Sequence, residues 1–207
     1  MRMRNAEYTA RPWRIVLIAP DFKLLDAWDT TVQGSQGEFD AFLDTVNTLD
    51  PEKGGSRVVR ALFRLRHRLG RWFGWNDGGW GVGDIKLAIP GCTETTLGAR
   101  LPEDLKNTVP VPQNSASKWR TLYHTEDEFA AELSNKTVHV VKHLVWVAQG
   151  AGRYRGQMGV YVKPRGWFGS FYLTLIGPFR HAIVYPAGMR RIRRAWEARS
   201  AIDALSV

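Results

Sequence analysis

The feature that most constrains this 207-residue chain is a pair of strand-forming runs about one Gly-rich turn. Thr137 to Val147 is dense in β-branched and aromatic residues, Gln149-Gly-Ala-Gly152 reads as a tight turn, and Arg153 to Lys163 returns antiparallel. Side chains alternate along a strand, so a strand drawn from Leu133 to Val147 has two distinct faces. One carries Asn135, Thr137, His139, Val141, His143 and Val145, and the other Lys136, Val138, Val140, Lys142, Leu144 and Trp146. The lysine stems can lie on apolar surface while their amines reach water. On the returning strand Gln157 and Tyr161 share one face, and Met158, Val160 and Val162 the other; either set is open to line a cavity.

The remaining segments surround this hairpin. Arg14 to Ala19 is a β-branched run before Pro20-Asp21 and reads as a strand, with Phe22 to Trp28 extending or following it. Glu38 to Leu49 places Phe39, Phe42, Leu43, Val46 and Leu49 at helical spacing. Ser56 would cap a second helix, Arg57 to Phe73, with Val58, Leu62, Leu65, Leu69 and Trp72 on one side and five arginines on the other. Residues 74–118 read as largely irregular, a candidate pocket lid, with a short helical piece near Pro102 to Lys106. Trp119 to His124 is a strand, and Thr125 would cap a helical turn through Glu128. Trp167 to Ala201 is largely helical, broken by Pro178 and Pro186, with Met189, Ile192 and Trp196 on one face. Strands and helices segregated in this order give an α+β domain over 1–207.

Composition narrows the function. A net charge of +9 permits anionic partners without choosing one. A single cysteine, Cys92, excludes an intrachain disulfide framework and a cysteine-built zinc site, and fits a reducing cytoplasm. No apolar stretch follows the basic start, and the Trp167–Tyr185 region is broken by Pro178, Arg180 and His181, a poor membrane span. Nine tryptophans suit either large core fillers or a wide apolar cavity.

The face with an amide, a hydroxyl and two imidazoles holds the components of acid–base chemistry, if it faces the concave side of the sheet. The plainer reading is that His139 and His143 hydrogen-bond across the sheet. Four residues apart on a strand, they stand roughly 13 Å from each other, too far to share one metal ion. No H-E-x-x-H, no phosphate-cradling glycine loop and no nucleophile elbow occurs, so no metal and no cofactor is expected. The arginine stripe of 57–71 reads as a solvated outer face; an anionic membrane or nucleic acid phosphates are the alternatives. No recognisable nucleic-acid module accompanies it, so no specific nucleic-acid partner is expected.

Glu132-Leu-Ser-Asn-Lys-Thr-Val-His139 resembles the E-[IL]-S-N-x-T-V-H signature of a bacterial domain-of-unknown-function family. Gly156-Gln-Met-Gly-Val-Tyr-Val-Lys-Pro-Arg-Gly166, Gly177-Pro-Phe-Arg-His-Ala-Ile-Val-Tyr-Pro186 and Ala10-Arg-Pro-Trp-Arg14 fit as well. The resemblance implies a fold similar to the START/polyketide-cyclase (SRPBCC) superfamily. That is a helix-grip architecture: a curved antiparallel sheet wrapped on a long C-terminal helix, here with two helices inserted after the first strand. Such domains hold apolar ligands between sheet and helix, and some are cofactor-free cyclases.

The expected function is therefore cytoplasmic binding of a small apolar or aromatic molecule in an internal cavity, with cyclisation or dehydration of a polyketide-like metabolite as the candidate reaction. A non-catalytic carrier is the first alternative, and a basic protein of membrane or nucleic-acid surfaces the second. His139 would be the general base or acid, with His143 or Tyr161 as a second donor. Asn135, Thr137, Gln157, Trp146, Tyr172 and Phe179 would contact the substrate. The aromatic C-terminal helix is a candidate homodimer surface.

Overall fold

A computed structural model of the chain describes residues 1–49, 96–108, 119–134 and 138–205. Its centre is one six-stranded antiparallel sheet in the order β1-β2-β6-β5-β4-β3. The strands are β1 (Arg2–Met3), β2 (Lys23–Gly34), β3 (Arg120–His124), β4 (Glu128–Ser134), β5 (Val138–Gly150) and β6 (Arg153–Pro164). The β5–β6 hairpin stands as the alternation predicts. Its turn places Gly150, Ala151 and Gly152 all at positive φ, a conformation that glycine adopts at no steric cost. The register puts Val141 opposite Tyr161, His143 opposite Gly159 and Val145 opposite Gln157. Cross-strand partners share a face, so Gln157 and Tyr161 join the two histidines.

Two expected strand boundaries change. The strand drawn from Leu133 to Val147 is two strands: β4 ends at Ser134, and β5 begins at Val138 and pairs back on it, with Ser134 opposite His139. Thr125 does take the amide of Glu128 on its hydroxyl, as a helix cap would, but its own amide donates to the Glu128 carbonyl. That closes a β3–β4 hairpin turn instead of opening a helix.

Arg14–Ile18 is a helix, not a strand. Its β-branched residues lower helix propensity only slightly, and tertiary contacts decide. Ile15 and Ile18, three apart, face the core, while the amides of Arg14 and Ile15 donate to the buried carboxylate of Glu128 at 3.3 and 3.2 Å. A carboxylate at a helix N-terminus satisfies otherwise orphaned donors and favours the helix dipole. We call this helix α2, with α1 (Asn5–Thr9) before it and α3 (Phe39–Thr48) after β2. So two short helices precede the long β2 and one follows it. The second helix expected over Arg57 to Phe73 lies outside the described residues, as does most of 74–118. Within 96–108, Leu97–Arg100 is a 3-10 turn and Glu103–Lys106 a short helix.

Both faces of the sheet are covered. On the first, Tyr8, Trp13, Ile15, Ile18, Phe22, Leu97, Leu101 and Leu105 pack on Ala27, Val141, Val145 and Tyr161. On the second, Phe39, Phe42 and Leu43 of α3 and Met189, Ile192 and Trp196 pack on Trp28, Val32, Leu144, Trp146 and Met158. Met189, Ile192 and Trp196 belong to the C-terminal helix Tyr185–Leu205, which continues Gly166–Phe179 through a π-helical turn, Arg180–Val184. The result is an α+β domain with an open antiparallel sheet under a C-terminal helix, an arrangement compatible with a helix grip.

Candidate functional site

The expected histidine face is not the one beneath the C-terminal helix. His139 and His143 are buried on the opposite face, under α1, α2 and the Leu97 segment. This corrects the view that the His139 ring looks into a chamber roofed by the tail. The Phe22 ring meets the His139 ring edge-on at 4.9 Å. Trp146, named as a substrate contact, lies on the face opposite the histidines, as the alternation reads, against Phe42 and Trp196, and donates its indole N–H to the Ser35 carbonyl at 2.8 Å. Asn135 and Thr137 lie outside the described residues, and the side chains of Tyr172 and Phe179 outside those described.

What surrounds the histidines is a buried polar network, bonded throughout at Glu128 but leaving Glu132 Oε1 without a hydrogen bond among the described residues. Glu128 accepts from the amides of Arg14 and Ile15, from the Tyr123 hydroxyl at 2.5 Å and from His143 Nε2 at 2.9 Å. A carboxylate can only accept, so His143 carries its proton on Nε2, and in the neutral ring Nδ1 accepts from the Tyr8 hydroxyl at 2.8 Å. Burial works to raise the Glu128 pKa, but the hydrogen bonds from His143 and Tyr123 outweigh it and hold the carboxyl below its ordinary value. The Tyr8 and Tyr123 phenols are pushed well up, chiefly by burial. Glu132 repeats the device: its Oε2 accepts from His139 Nε2 at 2.8 Å and from the Leu97 amide at 3.0 Å. The two glutamates thus tie α2 and the Leu97 segment to the sheet. Tyr161 stands edge-on to His143 at 6.0 Å, and its buried hydroxyl has no hydrogen-bond partner among the described residues. Gln157 is buried on the same face.

A second polar cluster lies on the opposite face, and its origin is a β-bulge. Leu24 pairs with Tyr161, but Asp26 pairs with Val160, so Leu25 is an extra residue in β2. Without it, alternation would put Asp26 on the face of Leu24. The bulge turns Asp26 to the side of Trp28 and the C-terminal helix; re-aiming one side chain is a common use of a bulge. Asp26 is fully buried. Arg180 Nε stands 3.0 Å from its Oδ2 and His181 Nε2 3.1 Å from its Oδ1, yet neither oxygen has an aligned hydrogen bond among the described residues. Arg180 Nε, His181 Nδ1 and Trp28 Nε1 are likewise buried without an aligned partner. Trp28 packs on Tyr185 with ring centroids 5.0 Å apart, and the Arg180 guanidinium lies 5.9 Å from the Tyr185 ring. Arg2 reaches Asp26 at 3.9 Å from the solvent side. Burial lowers the His181 pKa below its ordinary value; the attraction of Asp26 is offset by Arg2 and Arg180. His181 is therefore a neutral imidazole at neutral pH.

Arg180 and His181 sit in the π-helical turn just after Pro178. Proline deprives the helix of one hydrogen bond, and single π turns recur at functional sites. This cluster was missed by face alternation, although Arg180 and His181 lie inside the Gly177–Pro186 motif. Two side chains from the kinked helix and one from a bulged strand meet through irregularities that a periodic pattern does not register.

A family model described as "Protein of unknown function (DUF2867)" matches residues 18–187. The chain belongs to the DUF2867 family. The matched span holds both clusters apart from Tyr8, Arg2 and the amides of Arg14 and Ile15. No curated protein and no solved structure matches this DUF2867 chain. Among the described residues no group of three His, Cys, Asp or Glu side chains is placed to hold a metal ion, and no helix is long and apolar enough to cross a membrane.

Proposed function

We propose that this DUF2867 domain binds a small apolar or aromatic molecule carrying a carbonyl or carboxylate, between the sheet and the C-terminal helix, and moves a proton on it. The observation that carries this reading is Asp26, a fully buried carboxylate with Arg180 and His181 beside it and no aligned hydrogen bond. Buried polar groups in native proteins are nearly always satisfied, and the exceptions ask for a ligand or a catalytic role. His181 Nε2 faces Asp26, which favours the tautomer protonated there and leaves Nδ1 as the basic atom. With a lowered pKa that nitrogen is neutral and ready to accept a proton from carbon next to a carbonyl. Arg180 stands where it can receive the developing oxygen charge. Trp28 and Tyr185 supply an aromatic wall. The likeness to helix-grip proteins, which hold apolar ligands between sheet and last helix, supports the same location.

The acid–base role moves to His181 from His139 because the His139 and His143 rings are engaged with buried glutamates, under helices that a substrate would have to displace. 1-Naphthoate, an aromatic carboxylate, is a suitable probe. The expected result is saturable binding of one equivalent, weakened about tenfold or more in Arg180→Ala, the loss of one charge-assisted contact. No saturable binding, or equal binding by the variant, overturns the reading.

A further inference from the structure

The helix Gly166–Phe179 has no charged residue along its 14 positions. Trp167, Phe171 and Leu175 recur every four residues, which sets them within one face. They are 81%, 57% and 57% exposed. At about 1.5 Å per residue the helix is roughly 21 Å long, short of the ~30 Å hydrocarbon core of a bilayer. This charge-free stretch ends at Arg180, and no described helix is long and apolar enough to cross a membrane.

The surroundings are basic. The helix leaves the sheet at the end where β6 finishes, and Val162 there pairs with the exposed Lys23. Lys163 and Arg165 precede the helix; Lys163 bonds Asp21, which also holds Arg100, and the Arg165 guanidinium donates to the Ser134 hydroxyl and the Val138 carbonyl. Leu17, the last but one residue of α2, is also 81% exposed. Beyond Arg180, which is turned inward to Asp26, the chain continues into a helix bearing exposed Arg190, Arg193 and Arg194. The whole chain carries +9.

We infer that the Trp167–Phe171–Leu175 stripe is a docking face for an anionic phospholipid surface, with its apolar side chains entering the headgroup boundary and the basic residues around it meeting lipid phosphates. Tryptophan is favoured at this depth of a bilayer, and an apolar helix face combined with anionic-lipid attraction is how monotopic proteins attach. A second copy of the chain is the rival occupant, but it would bring a second +9 to the contact, whereas an anionic bilayer neutralises the first. The inference goes beyond the small-molecule reading and stands without it.

The test is co-sedimentation of the full chain with phosphatidylcholine vesicles and with vesicles of phosphatidylcholine and phosphatidylglycerol at about 7:3, in low and in high salt. Binding is expected to the anionic vesicles, at least about tenfold stronger than to the neutral ones and weakened by salt. The triple variant Trp167→Ser, Phe171→Ser, Leu175→Ser should lose at least about tenfold with its melting temperature unchanged. No binding of the wild type to anionic vesicles overturns the inference, as does a triple variant that binds like wild type. A fall of several degrees in its melting temperature would mark the stripe as packed within the chain and would also overturn it. So would a wild-type dimer by light scattering that the triple variant makes monomeric while neither protein binds vesicles.

Discussion

The two faces of the sheet treat buried carboxylates in opposite ways. Under α2, Glu128 receives two backbone amides, a phenol and an imidazole, and Glu132 an amide and an imidazole. Under the C-terminal helix, Asp26 is as deeply buried, has the Arg180 guanidinium at 3.0 Å and the His181 imidazole at 3.1 Å, and aligns with neither. Three of the four carboxylate oxygens on the first face are bonded, Glu132 Oε1 being the exception, and such a network holds segments together and resists change. An unsaturated one keeps bonding capacity for something else. On this protein the first cluster is a set of tethers, and the second is where we place chemistry.

That contrast is broken most forcefully at Glu128. Glu128→Gln removes the charge from four donors, and leaving a buried pair half-made typically costs about 3–5 kcal/mol. For a chain of this size that corresponds to a fall of roughly 6–20 °C in melting temperature, read by calorimetry or circular dichroism. The same residue sets an acid limb. Its folded-state pKa lies below the unfolded one, so its contribution is fully present above about pH 4.5 and is lost as pH falls through the folded value. Denaturant titrations at pH 6 and pH 3 should show a steeper loss in wild type than in Glu128→Gln. A variant as stable as wild type would remove the tether from the account.

Asp26→Asn should behave differently. The carboxylate there is held by ion pairs, chiefly with Arg180, but by no aligned hydrogen bond, so Asp26→Asn is expected to cost less than Glu128→Gln. The same melts check it, and a loss as large as that of Glu128→Gln would make Asp26 one more structural anchor. Tyr161→Phe should be the smallest change. The lost hydroxyl is buried without a partner, and its removal is worth within about 0.5 kcal/mol of zero, or slightly stabilises. A cost above about 1 kcal/mol in chemical denaturation would show that the hydroxyl is bonded.

Much of the frame was legible in the sequence because it rests on periodicity. The β5–β6 hairpin, α3, β3 and the kinked C-terminal helix with Met189, Ile192 and Trp196 inward all follow from spacing two or near 3.6. What escaped is what tertiary contacts decide. Ile15-Val-Leu-Ile18 has strand composition but is wound into α2 by a carboxylate more than a hundred residues away. Glu128-Phe-Ala-Ala-Glu-Leu-Ser134 carries helix-favouring residues and acids, yet forms a buried strand because both glutamates find donors inside. For the site, the pattern correctly set His139 and His143 on one face and Gln157 with Tyr161 on one face, but left open whether those two faces are the same, as the register of the hairpin makes them. It had no means of seeing that α1 and α2, rather than the C-terminal helix, cover that face. Asp26 was invisible for a local reason: one extra residue, Leu25, inverts the parity of β2.

The central claim is that the functional face is the one holding Asp26 and His181, while His139 and His143 belong to the framework. Its most direct test is a titration of histidine-labelled protein with 1-naphthoate, following the ring resonances of all five histidines by NMR. The account predicts that His181 moves with saturation while His139 and His143 stay in place. Shifts confined to His139 or His143, with His181 unmoved, would contradict it.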